Sequence, residues 1–517
     1  MGGLMDQNQV FKIKRLDVDT GSRHLVVIHP DAAFELGVVS NDRVKVRGSK
    51  KTVTGLVLVS KKIVAEDEVG LPINVITELE EVVGTEVEIH AAEKPVSVEY
   101  IKNKMDGMEL SAQQIRQIIK DIVNRNLSDI ELAAYISSVY TKGMSIREIK
   151  DLTLAMVETG DVIEFDQEPV FDFHSIGGVP GNKVTLLVVP IVAEAGLLIP
   201  KTSSRAISSA CGTADIFEVL ANVTFTIPEI KNIAERVGGT IVWGGGVNIA
   251  PADDLIIRAE YPLTIDPYPQ LIASILAKKK SCGVHKLVLD IPVGPNAKVE
   301  SIELAKKYSR DLMLVAEELG MVVECAITYG GQPVGRAIGP LLEAKEALAA
   351  LEGKSGVPNS VIEKAVCLAG MVLEMGGVRA DTGRDRAAEI LSSGRALKKM
   401  REIIAAQGGD PDITSDTIQV GKYSAELISD ANGYVVSINN KSIVKIARAA
   451  GAPSKKGGGI LLEKKMGMKV DRGEVIYTIF SDSRARLEDA VKLANRLKPV
   501  DVEGMVLERV LPSGRIL

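Results

Sequence analysis

From Val170 to Ile327 short apolar runs alternate with glycine-rich loops and helix-like stretches. The series reads Val170 to Phe173, then helix Val184 to Glu194; Ile199, then helix Gly212 to Leu220; Thr240 to Trp243; Leu287 to Ile291, then helix Val299 to Leu319; and Met321 to Ile327. Strand, loop and helix in repetition leave few architectures open, because each helix must carry the chain back across the sheet. The pattern predicts a large α/β domain with a mixed, mostly parallel sheet, and ligands beyond the carboxyl ends of its strands.

Two loops of this series concentrate donors. One runs from Asp172 through His174-Ser175-Ile176-Gly177-Gly178 to Lys183, the other from Lys201 through Ser203-Ser204-Arg205-Ala206-Ile207-Ser208-Ser209 to Thr213. Backbone N–H groups, hydroxyls and helix starts converge in such loops, which suits a phosphate. No GxxxxGK[ST] spacing passes through Gly177, Gly178, Gly181 and Lys183, so nucleotide hydrolysis of the P-loop type has no support. A loop that only turns tightly also needs glycine; the hydroxyls and Arg205 of the second loop favour an anion.

The flanking segments differ in texture. Residues 1–95 carry short β-rich runs, Phe11–Ile13, His24–Ile28, Arg43–Val46, Val53–Val59 and Glu86–Ile89, and read as an N-terminal β-barrel. Residues 96–165 read as a small helical domain. Its helix starts are written three times as a capping box, in Ser111 with Gln114, Ser128 with Glu131 and Ser145 with Glu148. Residues 252–283, with a helix from Pro267 to Lys280, return to that domain; 166–251 and 284–425 form the α/β domain, with the active site between the two. Residues 426–517 form a C-terminal α+β lobe with strands Gly433–Ile438 and Val475–Ile479 and a last helix Ser483–Leu497.

Composition excludes several classes. Against 62 basic residues stand 68 acidic ones, a formal charge of −6, so nothing draws the chain to nucleic acid or anionic lipid. The four cysteines, Cys211, Cys282, Cys325 and Cys367, show no metal or disulfide spacing, and the five histidines form no ligand set. Neither a metal nor a cofactor is implied. Met1 to Lys14 has no apolar core of signal-peptide length and no run of about 18 apolar residues occurs, which predicts a cytoplasmic protein without membrane partners.

The motifs also carry a resemblance. Asp172-Phe173-His174-Ser175-Ile176-Gly177-Gly178-Val179 resembles the D-K-H-S-T-G-G-V segment of the thymidine and pyrimidine nucleoside phosphorylase family. Ser203-Ser204-Arg205-Ala206 through Cys211-Gly212-Thr213-Ala214-Asp215-Ile216-Phe217-Glu218 is similar to its S-G-R-G…G-G-T-x-D-K-x-E signature, and the likeness covers roughly residues 97–517. A barrel ahead of that body, with the variant H-S-I-G-G-V-P-G-N-K loop, is similar to the archaeal AMP phosphorylase branch. The resemblance implies a nucleoside phosphorylase type II fold and the conversion of AMP and phosphate into adenine and ribose 1,5-bisphosphate, with CMP and UMP as further substrates. It also implies a role in nucleotide salvage and a homodimer or larger homo-oligomer built through the barrel.

Carried over by motif, nucleotide contacts fall on Gly178, Ser204, Arg205, Ala206, Ile207, Ser208, Ser209, Thr213, Ser274 and Lys298, the proton donor on Asp266, and inorganic phosphate near His174, Ser175 and Ser203. The family's lysine before the histidine is Phe173 here, and Lys183 is the candidate replacement cation. Arg258 stands one position out of register with the arginine of pyrimidine-specific members, which weakens a pyrimidine nucleoside phosphorylase reading. Read without the resemblance, Asp266 before Pro267 is equally a helix cap, Lys298 a solvated lysine and Ser274 a hydroxyl bonded to its own helix. A magnesium-dependent phosphoribosyltransferase and a non-catalytic nucleotide-binding assembly protein are the remaining alternatives.

Overall fold

The computed structural model describes residues 9–20, 24–206 and 209–506. The chain divides into two compact units, 1–160 with 250–277, and 161–249 with 278–517. Among the described residues no helix is long and apolar enough to cross a membrane.

The first unit opens with a closed barrel of six strands, β1 (Gln9–Leu16), β2 (Leu25–Ile28), β3 (Arg43–Arg47), β4 (Thr52–Val59), β5 (Glu68–Pro72) and β6 (Glu86–Ala92), in the order β1-β5-β2-β4-β3-β6. Two short helices interrupt it, α1 (Pro30–Leu36) and α2 (Ile73–Leu79). Period-two alternation fills the interior: Phe11 and Ile13 of β1, Val44 and Val46 of β3 and Val53 and Val57 of β4 are all buried. β5, with Gly70 and Pro72, lacks the β-branched density that marks the other five, and α1 and α2 were not foreseen either.

Four helices follow, α3 (Ser97–Met105), α4 (Ala112–Val123), α5 (Asp129–Lys142) and α6 (Ile146–Glu158). Ser111, Ser128 and Ser145 form the three capping boxes that the sequence predicts, each serine receiving the third helical amide and each Gln or Glu returning to the serine's own amide. Ile115, Ile118, Ile119 and Ile122 of α4 make one buried stripe. Under it Lys104 pairs with Glu148 at 2.7 Å, both buried.

The second unit contains β7 (Phe171–Ser175), α7 (Thr185–Glu194), β8 (Ile199–Ser203), α8 (Thr213–Phe217), α9 (Ile227–Val237) and β9 (Gly239–Trp243). Helices α10 (Pro251–Leu263) and α11 (Tyr268–Ser281) come next; α10 lies in the first unit, and α11 begins there and ends in the second. Then come β10 (Lys286–Val293), α12 (Ile302–Glu318) and β11 (Val322–Tyr329). β11, β10 and β7 pair in parallel, β8 and β9 pair in parallel, and a parallel bridge between Val170 and Leu198 joins the two sets. The strand order 11-10-7-8-9 therefore reverses direction at β7, which places the topological switch point between β7 and β10. Helix α7 is apolar all round and buried from Thr185 to Ala193, as a crossover inside a two-sided α/β core must be.

At the β9 edge the buried Gln407 amide accepts the Ile241 N–H at 2.9 Å and donates to the Ile241 and Asn222 carbonyls at 3.0 and 2.7 Å. The rest of the unit comprises β12 (Ala337–Ile338), α13 (Pro340–Leu351), α14 (Asn359–Met375), α15 (Gly383–Ser392), α16 (Arg395–Ala406), β13 (Tyr423–Ile428), β14 (Gly433–Ile438), α17 (Asn440–Ala449), β15 (Gly459–Leu462), β16 (Lys469–Val470), β17 (Val475–Ser481), α18 (Arg484–Leu497) and β18 (Val500–Glu503). Sheets β12-β15-β17-β13 and β16-β14-β18 with α17 and α18 enclose a separate apolar core.

Candidate active site

β7 delivers His174 and Ser175 to the carboxyl edge of the sheet, and the chain then turns through Gly177 and Gly178 with φ of +85° and +87°. Only glycine adopts that pair without strain. Gly178 is also a contact point, because a Cβ there would stand 2.7 Å from Lys298 Cβ and overlap the Lys298 amide. Two glycine loops, after β7 and after β10, thus touch backbone to backbone and bring Lys298 onto the first loop.

The floor of the loop is polar and fixed. Asn182 donates to Ser175 Oγ at 3.0 Å and to Asp290 Oδ2 at 3.3 Å, while buried Asp290 pairs with Lys364 at 2.9 Å. Ser175 is therefore held at its oxygen and keeps its O–H to donate, as binding an anion requires.

The second loop leaves β8 at Ser203 and is closed by one carboxylate. Asp215 Oδ2 accepts the amides of Ala206 at 2.8 Å and Gly212 at 2.9 Å, so the loop ends are clasped beside Thr213. The Arg205 guanidinium turns away to a two-point pair with Glu218 and stacks on Trp243, 4.9 Å from the ring centre. This side chain braces the loop, in which the Ser203 and Ser209 hydroxyls donate to the Ser204 and Cys211 carbonyls, each at 3.2 Å. Glu218 also receives Lys456 at 2.6 Å, and Arg448 donates to the Ser209 carbonyl at 2.9 Å, so the C-terminal lobe holds the loop from outside. Lys456 is thereby committed to a structural ion pair.

Electrostatics favour an anion at the edge. Burial, then Lys279, Lys201, Lys278 and Lys298, hold the His174 imidazole well below its ordinary pKa, so it is neutral and offers one N–H. Behind it lies a charge cluster that the sequence reading missed. Asp172 pairs with Lys279 at 2.7 Å and faces Lys201 at 3.5 Å. Its signal was present: an aspartate inside the apolar run Val170 to Phe173 and a lysine in the middle of the strand Ile199 to Ser203.

Lys183 is not the replacement cation. Its ammonium is fully buried, donating to the carbonyls of Val334 at 3.1 Å and Ala337 at 3.0 Å and pairing with Glu346. A lysine enclosed in this way ties the first loop to residues 334–346 and cannot also reach a substrate. Nearby Lys465 donates to the Gly335 carbonyl at 2.7 Å, its pKa pushed down to about 7 by burial and by Lys183.

The remaining sites divide. His174, Ser175, Gly178, Ser203, Ser204, Arg205, Ala206, Ser209, Thr213 and Lys298 all belong to the second unit, whereas Asp266 and Ser274 belong to the first. Ile207 and Ser208 lie outside the described residues. α11 starts at Tyr268, and Pro267 supplies its first carbonyl, to Leu271 N–H at 3.0 Å. Asp266 immediately precedes this start, next to Pro267.

Residues 98–160 match the model of the helical bundle domain of the glycosyl transferase family, 167–397 that of its α/β domain, and 434–499 that of the pyrimidine nucleoside phosphorylase C-terminal domain. The chain is 51% identical over 499 residues to AMP phosphorylase 1 of Archaeoglobus fulgidus, covering 96% of this chain and 98% of that protein. It is 49% identical over 500 residues to the AMP phosphorylase of Methanocaldococcus jannaschii, covering 96% and 99%. Among solved structures, anthranilate phosphoribosyltransferase of Thermus thermophilus aligns with a TM-score of 0.51 at 18% identity, over 60% of this chain and 99% of that one. That likeness concerns the fold alone.

Proposed function

The chain belongs to the AMP phosphorylase family, within the pyrimidine nucleoside phosphorylases, and we infer that it cleaves AMP with inorganic phosphate. A phosphate oxygen attacks the anomeric carbon, the bond from that carbon to the base nitrogen breaks, and the base leaves with a proton. The products are adenine and ribose 1,5-bisphosphate. The observation that supports the reading is the packing of the Gly178 loop against Lys298, together with a clasped loop from Ser203 to Thr213 that leaves the neighbouring parallel strand, in a chain of this kinship.

The roles follow from chemistry. Inorganic phosphate is assigned to the neutral His174 N–H, the Ser175 hydroxyl and Ser203. The sugar 5′-phosphate is assigned to Lys298, Ser209 and the loop amides, with Ser208 as the further hydroxyl. Fixing a remote phosphate positions the anomeric carbon, so binding energy far from the reacting bond lowers the barrier. Asp266 is proposed as the acid that protonates the leaving base, with Ser274 on the same segment as a nucleotide contact. CMP and UMP are proposed as further substrates.

Incubation with AMP and phosphate, followed by detection of adenine and a doubly phosphorylated pentose, tests the reaction. Adenosine and uridine in place of AMP should be turned over far more slowly; equal rates would make the protein a nucleoside phosphorylase. On the same resemblance we propose a cytoplasmic homo-oligomer, a dimer or larger, assembled through the barrel, which sedimentation of the intact chain tests.

A further inference from the structure

The second unit holds a cavity of about 350 Å³ where its C-terminal lobe meets the carboxyl ends of β10 and β11. Pro295 and Asn296 reach it from the loop that carries Lys298, Tyr329 from the end of β11, Ser437 from β14, Leu497 from α18 and Asp501 from β18. None of these residues takes part in the chemistry above.

The lining suits an uncharged molecule with one apolar and one polar part. Tyr329, 61% exposed, offers an aromatic ring beside Met466, whose Sδ lies 3.6 Å from the Tyr329 hydroxyl. Asn439 uses its oxygen as the cap of α17, accepting the Ser442 N–H at 2.9 Å, so its NH2 is left to donate to a ligand, next to the Asn296 amide. Asp501 takes the Ser437 hydroxyl on Oδ2 and keeps Oδ1 as an acceptor. Lys498 and Asp501 are the charged residues of the lining, so a phosphate ester would meet repulsion as well as attraction. An aromatic wall, amides for a ring edge and a carboxylate for a pair of hydroxyls fit a nucleoside.

Two further observations mark the place. Asn296 and Lys498 hold left-handed backbone, with φ of +63° and +41°. Beside the cavity Asn440, 1% exposed, gives its NH2 to the Gly330 carbonyl at 2.9 Å, while its Oδ1 has no partner among the described residues. Strained backbone and an unanswered buried acceptor gather at ligand sites.

The cavity also touches the loop that the chemistry depends on. Asn296 stands two residues ahead of Lys298, and the Gly330 N–H reaches the Val293 carbonyl at 2.7 Å at the base of that loop. A Cβ on Gly294 would lie 2.4 Å from the Gly331 nitrogen, so the two segments pack backbone to backbone. We propose that this cavity is an effector site for a nucleoside, whose occupation braces the Lys298 loop against the C-terminal lobe and tightens the binding of AMP. The proposal rests on the phosphorylase reading for the placement of the sugar 5′-phosphate on Lys298.

The test titrates adenosine into the intact protein by calorimetry, without phosphate so that nothing turns over, both without AMP and at saturating AMP. At saturating AMP one adenosine should bind per chain, about fivefold or more tightly than without AMP, and adenosine should tighten AMP by the same factor. Asp501→Ala, which removes the acceptor, and Ser437→Phe, which fills the cavity, should each weaken adenosine at least about tenfold and keep the parent's turnover of AMP alone, with a melting scan to report on folding. No adenosine binding, binding that AMP displaces and that therefore belongs to the AMP pocket, or coupling unchanged in both variants would overturn the proposal. AMP turnover separates the two readings: adenine released without a coupled adenosine site removes the effector and keeps the phosphorylase, while coupled binding without adenine release does the reverse.

Discussion

Replacing Lys183 by methionine separates a loop-bracing lysine from a substrate-binding one. The ammonium holds the Val334 and Ala337 carbonyls and the Glu346 carboxylate, and Glu346 also accepts the Arg336 amide at 3.0 Å. With Lys183 at 0% and Glu346 at 10% side-chain exposure, removing one partner strands a carboxylate in a low-dielectric interior, a loss of about 3–5 kcal/mol. Lys183→Met should lower the unfolding free energy by that amount in urea. Lys183→Met with Glu346→Gln should recover most of it, because the stranded charge and not the lost attraction dominates the cost. Lys465 is the nearby cation able to turn towards Glu346, so Lys183→Met with Lys465→Met should fare worse than Lys183→Met alone. A Lys183→Met protein that unfolds with its parent, yet shows a phosphate KM raised about tenfold or more, would refute this reasoning and return the lysine to the phosphate site.

Gly178→Ala combines a positive φ with a backbone overlap at Lys298, so it should displace the Lys298 loop and cut kcat/KM for AMP at least about tenfold while the fold persists, as steady-state assay and circular dichroism would show. Asp266→Asn should lower kcat by about 10²–10⁴-fold and leave AMP binding intact; unchanged kcat would remove it as the acid. Arg205, then Lys456, hold the Glu218 carboxyl down at about 2 from 4.5. A carboxyl lowered in the folded state stabilises above its unfolded pKa and loses that contribution as pH falls from about 4.5 towards 2. Discounted for its partial exposure the contribution is about 1–2 kcal/mol, so urea midpoints at pH 5 and pH 3 should converge in Glu218→Gln relative to the parent.

Features encoded locally were legible before any coordinates. The serine boxes of α4, α5 and α6 depend on residues three apart, and the alternation of β7, α7, β8, β10, α12 and β11 is written in apolar spacing. β5 escaped because Gly70 and Pro72 dilute a five-residue strand that only its barrel neighbours stabilise. Lys183 misled for a related reason: its carbonyl partners lie some 150 residues away, and nothing near it in the chain announces burial. Asp172 and Lys201 each interrupt an apolar run, but their pairing with Lys279 was not legible, since β7, β8 and α11 meet only after folding.

The Gln407 amide occupies the rim of β9 as a single rung of ladder would, satisfying both the N–H and the carbonyl of Ile241. With the Trp243 N–H given to the Val223 carbonyl at 2.8 Å, two successive outward positions of this strand are already answered and offer no template to a foreign strand. Hydrolysis of that one amide to a carboxylate would set negative oxygen against two carbonyls, so chemical ageing at a residue remote from catalysis would loosen this edge of the sheet.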